Sequence, residues 1–417
     1  MGFLFVGCIA QTTPETKPNQ KAFEQEDTYI MFALRAEQLQ DRDGAAMLFE
    51  QLYEKSQKKE YLYRSLQNLI IAKEYDKVVK KVDEIEGAEI KDPILTRLKI
   101  LSLMGLEKFE SAKKLALLLV AKTKDVDDYL LLSDIYVKQK KYNTALKYLE
   151  SAYTKNYNEK ILDKMSIILY VNLQRKKDAI AQLETHTRVH GCSKLICMRL
   201  IGFYSDENNV DGLLSTYLRY YNIDKNQEVA KKIVQIYGYK KEYIKLMDFL
   251  EESHSDDKLL LELYVNFKDY KKASVLAYKI YKKDMELDYL GQSAIYEYES
   301  STDKSDKKVQ QSVVEKLTKV VQSDKKPIYL NYLGYLLIDH DIDVKKGMVY
   351  IREALKQEPE SAFYLDSLGW GYYKLGKCKK AYTIMKKVRK LEGGDDKEVL
   401  SHIKTIKQCI KRGKTKR

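Results

Sequence analysis

Proline and glycine are scarce in this chain, 5 and 18 in 417 residues, and that scarcity argues for helix nearly throughout. No segment carries the eighteen or so uninterrupted apolar residues of a membrane span. Histidine is limited to 5, and no Ser-His-Asp, paired-carboxylate or dinucleotide-binding pattern stands out in a loop. Arginine is short as well, 12 against 62 Lys. A net charge of +13 invites a nucleic-acid reading, yet arginine is the residue suited to bidentate phosphate and base contacts. The 61 acids are also interspersed with the lysines (Asp76-Lys77, Glu107-Lys108, Lys240-Lys241-Glu242), the pattern of a solvated helical face. What is present is an apolar content of 44%, enough for a core and too much for global disorder. The 34 tyrosines suit a thin two-layer array, in which a ring is buried while its hydroxyl stays wet.

A chain of this length forms two or three ordinary domains or one long repeat array, and an internal period decides for the array. Counting from Val126 as position 1, Ser133 falls at 8, Tyr136 at 11, Ala145 at 20, Leu149 at 24 and Ala152 at 27. Small residues at 8 and 20 let two antiparallel helices approach closely, and bulky ones at 11 and 24 fill the gaps on either side. Counting from Ala362 puts Leu368, Gly369, Tyr372, Ala381 and Met385 at 7, 8, 11, 20 and 24. The unit before it, from Pro327, has Leu333 and Gly334 at 7 and 8, with one extra residue in its turn. These spacings, and the string from Leu365 to Lys377 (LDSLGWGYYKLGK), resemble the tetratricopeptide repeats of bacterial proteins. Weaker units keep the period near residues 59, 93, 160, 194, 227 and 254. Further hairpins are expected over about 27–57 and 286–323.

The fold expected is all-α, a right-handed α-solenoid of about eleven tetratricopeptide-like hairpins in one continuous superhelix. Lys397 to Lys411, with Val399, Ile403, Ile406 and Ile410 on one face, reads as its capping helix. The organisation is then a lipoprotein-signal-like segment over 1–8, a flexible linker over 9–26, degenerate hairpins over 27–324, two well-formed units over 325–394, the cap over 395–411 and a basic tail over 412–417. The polar run Ser300 to Lys308 is the best place for a break. Residues expected to pack the repeats are Ser133, Tyr136, Ala145, Ala152, Gly334, Gly369, Tyr372 and Ala381. The family resemblance implies a concave groove lined by first helices that holds a protein or peptide partner. By repeat position, Tyr129, Asp134, Asn331 and Tyr364 are the groove candidates.

Chemistry is sparse elsewhere. Gly371-x4-Gly376-Lys377 nearly spells a phosphate-binding loop, but Cys378 stands where Ser or Thr is needed and no strand precedes it. His186, His190, Cys192 and Cys197 are the one local group of metal-capable side chains. Their spacing matches no standard zinc module, and packed thiols with surface imidazoles are favoured over zinc or a Cys192–Cys197 disulfide. Cys378 and Cys409 complete a set of four in which nothing selects a pairing. No metal site, cofactor or small-molecule substrate is expected.

The opening Gly2-Phe3-Leu4-Phe5-Val6-Gly7-Cys8 resembles the end of a bacterial lipoprotein signal, with Cys8 as the lipidated residue. Its apolar run is short and lacks a preceding Lys or Arg, so the resemblance implies a start upstream of Met1; a frayed hydrophobic tail is the plain alternative. Gln11 to Gln20 (QTTPETKPNQ) suits a tether, and Ile9 after the cysteine implies onward transport to the outer membrane. The expected function is non-catalytic protein–protein scaffolding by an envelope lipoprotein facing the periplasm. A cytoplasmic adaptor or regulator, and a basic solenoid binding RNA or another polyanion, are the alternatives, with nucleic acid disfavoured.

Overall fold

A computed structural model of the protein describes residues 21–87 and 90–415. The signal-like segment with Cys8, and the tether up to Gln20, lie outside the described residues. Among those described there are 23 α-helices and no strand. They pair into eleven hairpins and a final single helix, the number the period implies.

Six hairpins form a first compact unit that ends at Asp224. They are α1/α2 (Glu26–Gln38, Arg42–Ser56), α3/α4 (Lys59–Ile71, Tyr75–Glu86), α5/α6 (Pro93–Gly105, Phe109–Thr123), α7/α8 (Val126–Lys138, Tyr142–Asn156), α9/α10 (Glu159–Ile167, Lys176–His190) and α11/α12 (Lys194–Asp206, Val210–Ile223). Helix α9 runs on through a π-helical turn at Ile168–Asn172. A second unit begins at Lys225 and holds α13/α14 (Gln227–Lys240, Tyr243–Ser253), α15/α16 (Asp257–Asn266, Tyr270–Asp284), α17/α18 (Leu287–Ser300, Lys307–Ser323), α19/α20 (Pro327–Asp339, Val344–Gln357), α21/α22 (Ala362–Lys374, Cys378–Val388) and α23 (Lys397–Thr415).

The repeat is written in the backbone even where its side-chain signature fades. Between the two helices of each first-unit hairpin one residue takes a left-handed conformation: Gln40, Lys73, Glu107, Lys140, Gln174 and Asn208, recurring every 33 or 34 residues. The amide that follows usually donates to a carbonyl five residues back, as Lys141 does to Tyr136 (2.8 Å) and Asn209 to Tyr204 (2.8 Å). This is a Schellman closure, which satisfies carbonyls the helix end would otherwise leave open. Only the last of these turns uses glycine, Gly376, for which the conformation carries no Cβ penalty.

Each hairpin buries small residues where its helices touch. Ala33 and Ala45, Ser133 and Ala145 are all fully buried at equivalent positions. Around them the first unit packs Leu149, Ala152, Leu162 and Leu183, and the second packs Leu317, Leu330 and Leu333. Each fully buried leucine contributes about 2 kcal/mol of transfer free energy. At the C-terminal end α23 lays Val399, Ile403 and Ile406 against Met385 and Val388 of α22, closing the last apolar face as a cap must.

Three boundaries differ from expectation. Part of the linker is ordered: Phe23 packs edge-on to Tyr29 (5.9 Å) and the Ala22 amide donates to Glu26 (2.6 Å). The cap helix continues through the start of the basic tail to Thr415. The division between compact units falls at Asp224 and Lys225, not at the polar insertion. That insertion is folded back on its own helices, with Lys304 bonding the Tyr298 carbonyl and Gln310 Nε2 donating to the Lys304 carbonyl at 2.9 Å.

Candidate interaction faces

First helices of neighbouring hairpins lie side by side in the first unit, α3 on α5, α5 on α7 and α9 on α11. A ladder of charge pairs ties them. Arg64 (α3) grips Glu37 (α1) through Nε at 2.8 Å and Nη2 at 2.6 Å. Arg97 (α5) grips Asp128 (α7) at 2.5 and 3.0 Å, and Arg199 (α11) grips Asp163 (α9) at 2.6 and 3.1 Å. Lys164 (α9) pairs with Asp134 (α7). Arginine suits these rungs because its planar fork meets a carboxylate at two points. Asp128 is fully enclosed, and Arg64 holds the Glu37 carboxyl below the usual carboxylate range.

Exposed apolar side chains lie three, four or seven residues from these rungs, spacings that share a helix face. Leu34 stands beside Glu37, Ile71 beside Arg64, Ile94 and Leu101 on either side of Arg97, and Leu195 beside Arg199. The charges of the rungs are spent on one another. What these neighbours of the rungs add for a partner is hydrocarbon.

A second device accounts for many tyrosines. A phenol and a Lys or Arg close together on one carboxylate at Tyr61–Glu26–Lys58, Tyr63–Asp92–Lys59, Tyr170–Asp206–Lys176, Tyr204–Glu184–Arg219, Tyr264–Glu251–Lys272 and Tyr329–Asp288–Lys326. Burial, with Asp206 and Glu207 beside it, pushes the Tyr170 hydroxyl up to about 12. Burial pushes Glu26 up too, but Lys58, Tyr61 and the Ala22 amide outweigh it and hold the carboxyl at about 2.

No protein-family model matches the chain. The TPR repeat-containing protein MJ1428 of Methanocaldococcus jannaschii is 24% identical over 305 residues, 63% of this chain and 51% of that protein. The chain therefore spans about half the length of this curated relative. Among solved structures, the Cut9–Hcn1 hetero-tetramer of the APC/C matches with 10% identity over 92% of this chain and 97% of that one, at a TM-score of 0.38. Naa15/Naa10 bound to HypK matches with 13% identity over 84% and 65%, at 0.35. Yeast Tom70 matches with 12% identity over 94% and 97%, at 0.33. The helical hairpins, their period and the named repeat of the curated relative agree. The chain is a tetratricopeptide-type repeat protein.

Within this tetratricopeptide array the repeat-packing residues sit at the helix contacts. Ser133, Ala145, Ala152 and Ala381 are fully buried, and Gly334 and Gly369 are buried as well. Tyr136 stacks on Tyr148 at 5.5 Å, and Tyr372 lies half-buried beside Arg352. Of the groove candidates, Asp134 and Asn331 lie on the first-helix face, Asp134 as a rung of the ladder. Tyr364 does not. It is 9% exposed in the core, because it lies two residues, about 200° of helix, from the face residue Asp366. Tyr129 turns towards the second helix of its hairpin, half-buried against Tyr148.

Cys192 and Cys197 are joined to each other, and Cys378 to Cys409, with Cα atoms 5.5 and 6.2 Å apart. His186 is buried between Tyr153 (2.7 Å) and Glu159 (3.4 Å), with the His190 ring tilted against it at 4.7 Å. The ladder arginines escaped the reading of the sequence. Their partners lie 27 to 36 residues away, and the pairing shows only once the helices are set in register.

Proposed function

We propose that the protein is a non-catalytic scaffold that holds partner proteins on the first-helix faces of its repeats, working as a lipoprotein of the cell envelope that supports assembly of a periplasmic or outer-membrane complex. The observation that carries the scaffold is the set of exposed apolar residues beside a self-neutralised ladder, with Ile94 and Leu101 flanking Arg97. Such a face gains by burying hydrocarbon and asks no new charge of its partner. Supporting the envelope are the signal-like residues before Cys8 and the two cysteine pairs, which suit an oxidising compartment. A polyanion-binding role is disfavoured by the same geometry. Among the described residues Arg64, Arg97, Arg175, Arg199 and Arg219, five of the chain's 12 arginines, are closed on carboxylates.

Lipid labelling and membrane fractionation of the natively expressed protein, beside Cys8→Ala, test the anchor. Labelling that disappears with Cys8 supports it, and a soluble, unlabelled protein in both cases ends it. In-cell crosslinking from positions 94 and 101 tests the scaffold. A reproducible protein adduct lost in Leu101→Glu is expected, and the absence of any adduct from either position rejects the face.

A further inference from the structure

Throughout the chain a phenol, a carboxylate and a cation recur together. At the C-terminal end of the second unit the same arrangement lacks its third member. Tyr335 (α19) donates to Glu398 (α23), Trp370 Nε1 (α21) donates to Asp339 Oδ1 at 2.8 Å, and His402 Nδ1 lies 2.9 Å from Asp366 Oδ2. Among the described residues no Lys or Arg pairs with the carboxylate of Asp339, Asp366 or Glu398. Lys374 of α21 turns instead to the Asp339 carbonyl (2.7 Å) and to Asp341 (2.8 Å).

These groups share one face. Asn331, Tyr335 and Asp339 follow at intervals of four on α19, as do Asp366 and Trp370 on α21, and Glu398 and His402 on α23. Helix α21 packs on both α19 and α23. The His402 ring lies 6.3 Å from Tyr335 and stacks on Trp370 at 4.0 Å, so the carboxylates bonded to these three side chains edge one cluster of rings. Burial pushes the Tyr335 hydroxyl up first, followed by the bond to Glu398 and the fields of Asp339 and Asp366. Two acceptors here have no donor. Asp366 Oδ1 is buried on a side chain only 8% exposed, and Asn331 Oδ1 is buried one repeat earlier. A buried acceptor left without a hydrogen bond costs about 1–3 kcal/mol, more when charged. A donor suited to three neighbouring carboxylates and the bare Asp366 oxygen carries several N–H groups and positive charge. Among the described residues no group of three or more His, Cys, Asp or Glu is disposed to hold a metal ion.

We infer that this end of the second unit is a socket for a basic side chain, an arginine or lysine of a partner protein lying along the first-helix face. The inference rests on the reading of those faces as partner-binding and adds what the partner must present. Selectivity comes from the rest of the molecule. A chain of net charge +13 repels basic segments over most of its surface, so an acidic socket singles out where one can dock.

Trp370 is the only tryptophan, so its emission reports on the socket directly. The full-length protein is titrated with fluorophore-free octa-arginine, octa-lysine and octa-citrulline peptides. Binding of the arginine or lysine peptide with a change in Trp370 emission, and none with the neutral citrulline peptide, is expected. The comparison of the two basic peptides tells guanidinium from ammonium. Asp366→Asn with Glu398→Gln should weaken binding at least tenfold, whereas Glu60→Gln with Asp127→Asn, exposed acids of the first unit, should leave it within twofold. Glu398→Gln alone alters an exposed side chain, and it should weaken binding severalfold whether or not the Asp366 variant folds. An unchanged affinity in the Glu398→Gln protein, or basic peptides that leave Trp370 emission unmoved, overturns the socket. A partner crosslinked at position 94 or 101 that binds the double variant as tightly as the parent overturns it too, while leaving the scaffold standing.

Discussion

Gly334 and Gly369 hold the same position of the repeat, yet replacing each with alanine should have opposite effects. A Cβ at residue 334 would lie 2.8 Å from the Gly347 carbonyl oxygen and 2.6 Å from Ile351 Cγ1. The contact is reciprocal, since a Cβ at residue 347 would lie 2.5 Å from the Gly334 carbonyl. Helices α19 and α20 touch backbone to backbone here, so alanine must push them apart. At residue 369 the added carbon meets the Met385 thioether at 2.7 Å, the far end of a flexible side chain, and the backbone of α22 only at 3.7 Å. Alanine gains about 1 kcal/mol of helix propensity over glycine at either site. Overpacking a backbone-to-backbone helix contact falls in the upper part of the usual range, about 2–3 kcal/mol, against little for a methionine that can swing away. Gly334→Ala should therefore lose about 1–2 kcal/mol net, and Gly369→Ala should come out neutral or slightly stabilised. Repeat arrays unfold piecewise, so the assay is hydrogen exchange of peptides from α19 to α22 rather than a global melt. Exchange in α19 and α20 should quicken roughly 5- to 30-fold in Gly334→Ala, with no such change in α21 and α22 of Gly369→Ala. Equal effects of the two substitutions would refute the reasoning.

The remaining expectations concern the pairs that hold the repeats together. Arg97→Ala leaves the enclosed Asp128 with only Thr123 for company and should cost about 3 kcal/mol, with Arg97→Lys recovering part of it; hydrogen exchange of peptides from α5 and α7 in the three proteins decides, and identical exchange would show that the rung does not brace these helices. Glu26 has its carboxyl held at about 2 in the folded chain against 4.5 as the ordinary value. Its contribution is thus fully present above about pH 4.5 and is lost as pH falls towards 2, so proteolysis of α1 should rise across that window in the parent and stay flat with pH in Glu26→Gln. The Cys378–Cys409 bridge closes a loop of 31 residues and ties α23 to α22. Replacing both cysteines by serine should cost about 3–4 kcal/mol, read as faster exchange in α23, against about 2 kcal/mol for the short Cys192–Cys197 loop. Exchange in α23 indifferent to the substitution would show that the bridge does not brace the cap.

Much of the fold was legible because the repeat imposes a local rule on every unit. Scarce breakers, small residues at positions 8 and 20, and a 33–34-residue period were enough for an all-α array of eleven hairpins with a cap. Turns were harder to see. Their left-handed residues are Gln, Lys, Glu and Asn, which announce no such conformation. The site was less legible still. Tyr364 was placed on the groove by counting, and a slip of two residues turned it into the core. The rungs from Arg64, Arg97 and Arg199, and the acidic end with its bare acceptors, depend on which helices lie side by side, and no local pattern carries that.

By itself, then, the sequence determined what one hairpin does: helix content, the period and which face each helix buries, all set by spacings within about 34 residues. Tertiary structure decided what crosses between repeats. It set one glycine backbone to backbone against the next helix and its counterpart against a flexible methionine, closed four arginines on carboxylates of other helices, and left three carboxylates at the C-terminal end without a Lys or Arg. The physical reason is one of range. Propensity and burial are properties of a segment, whereas a salt bridge or a backbone contact needs two segments at a fixed distance, and only packing sets that distance.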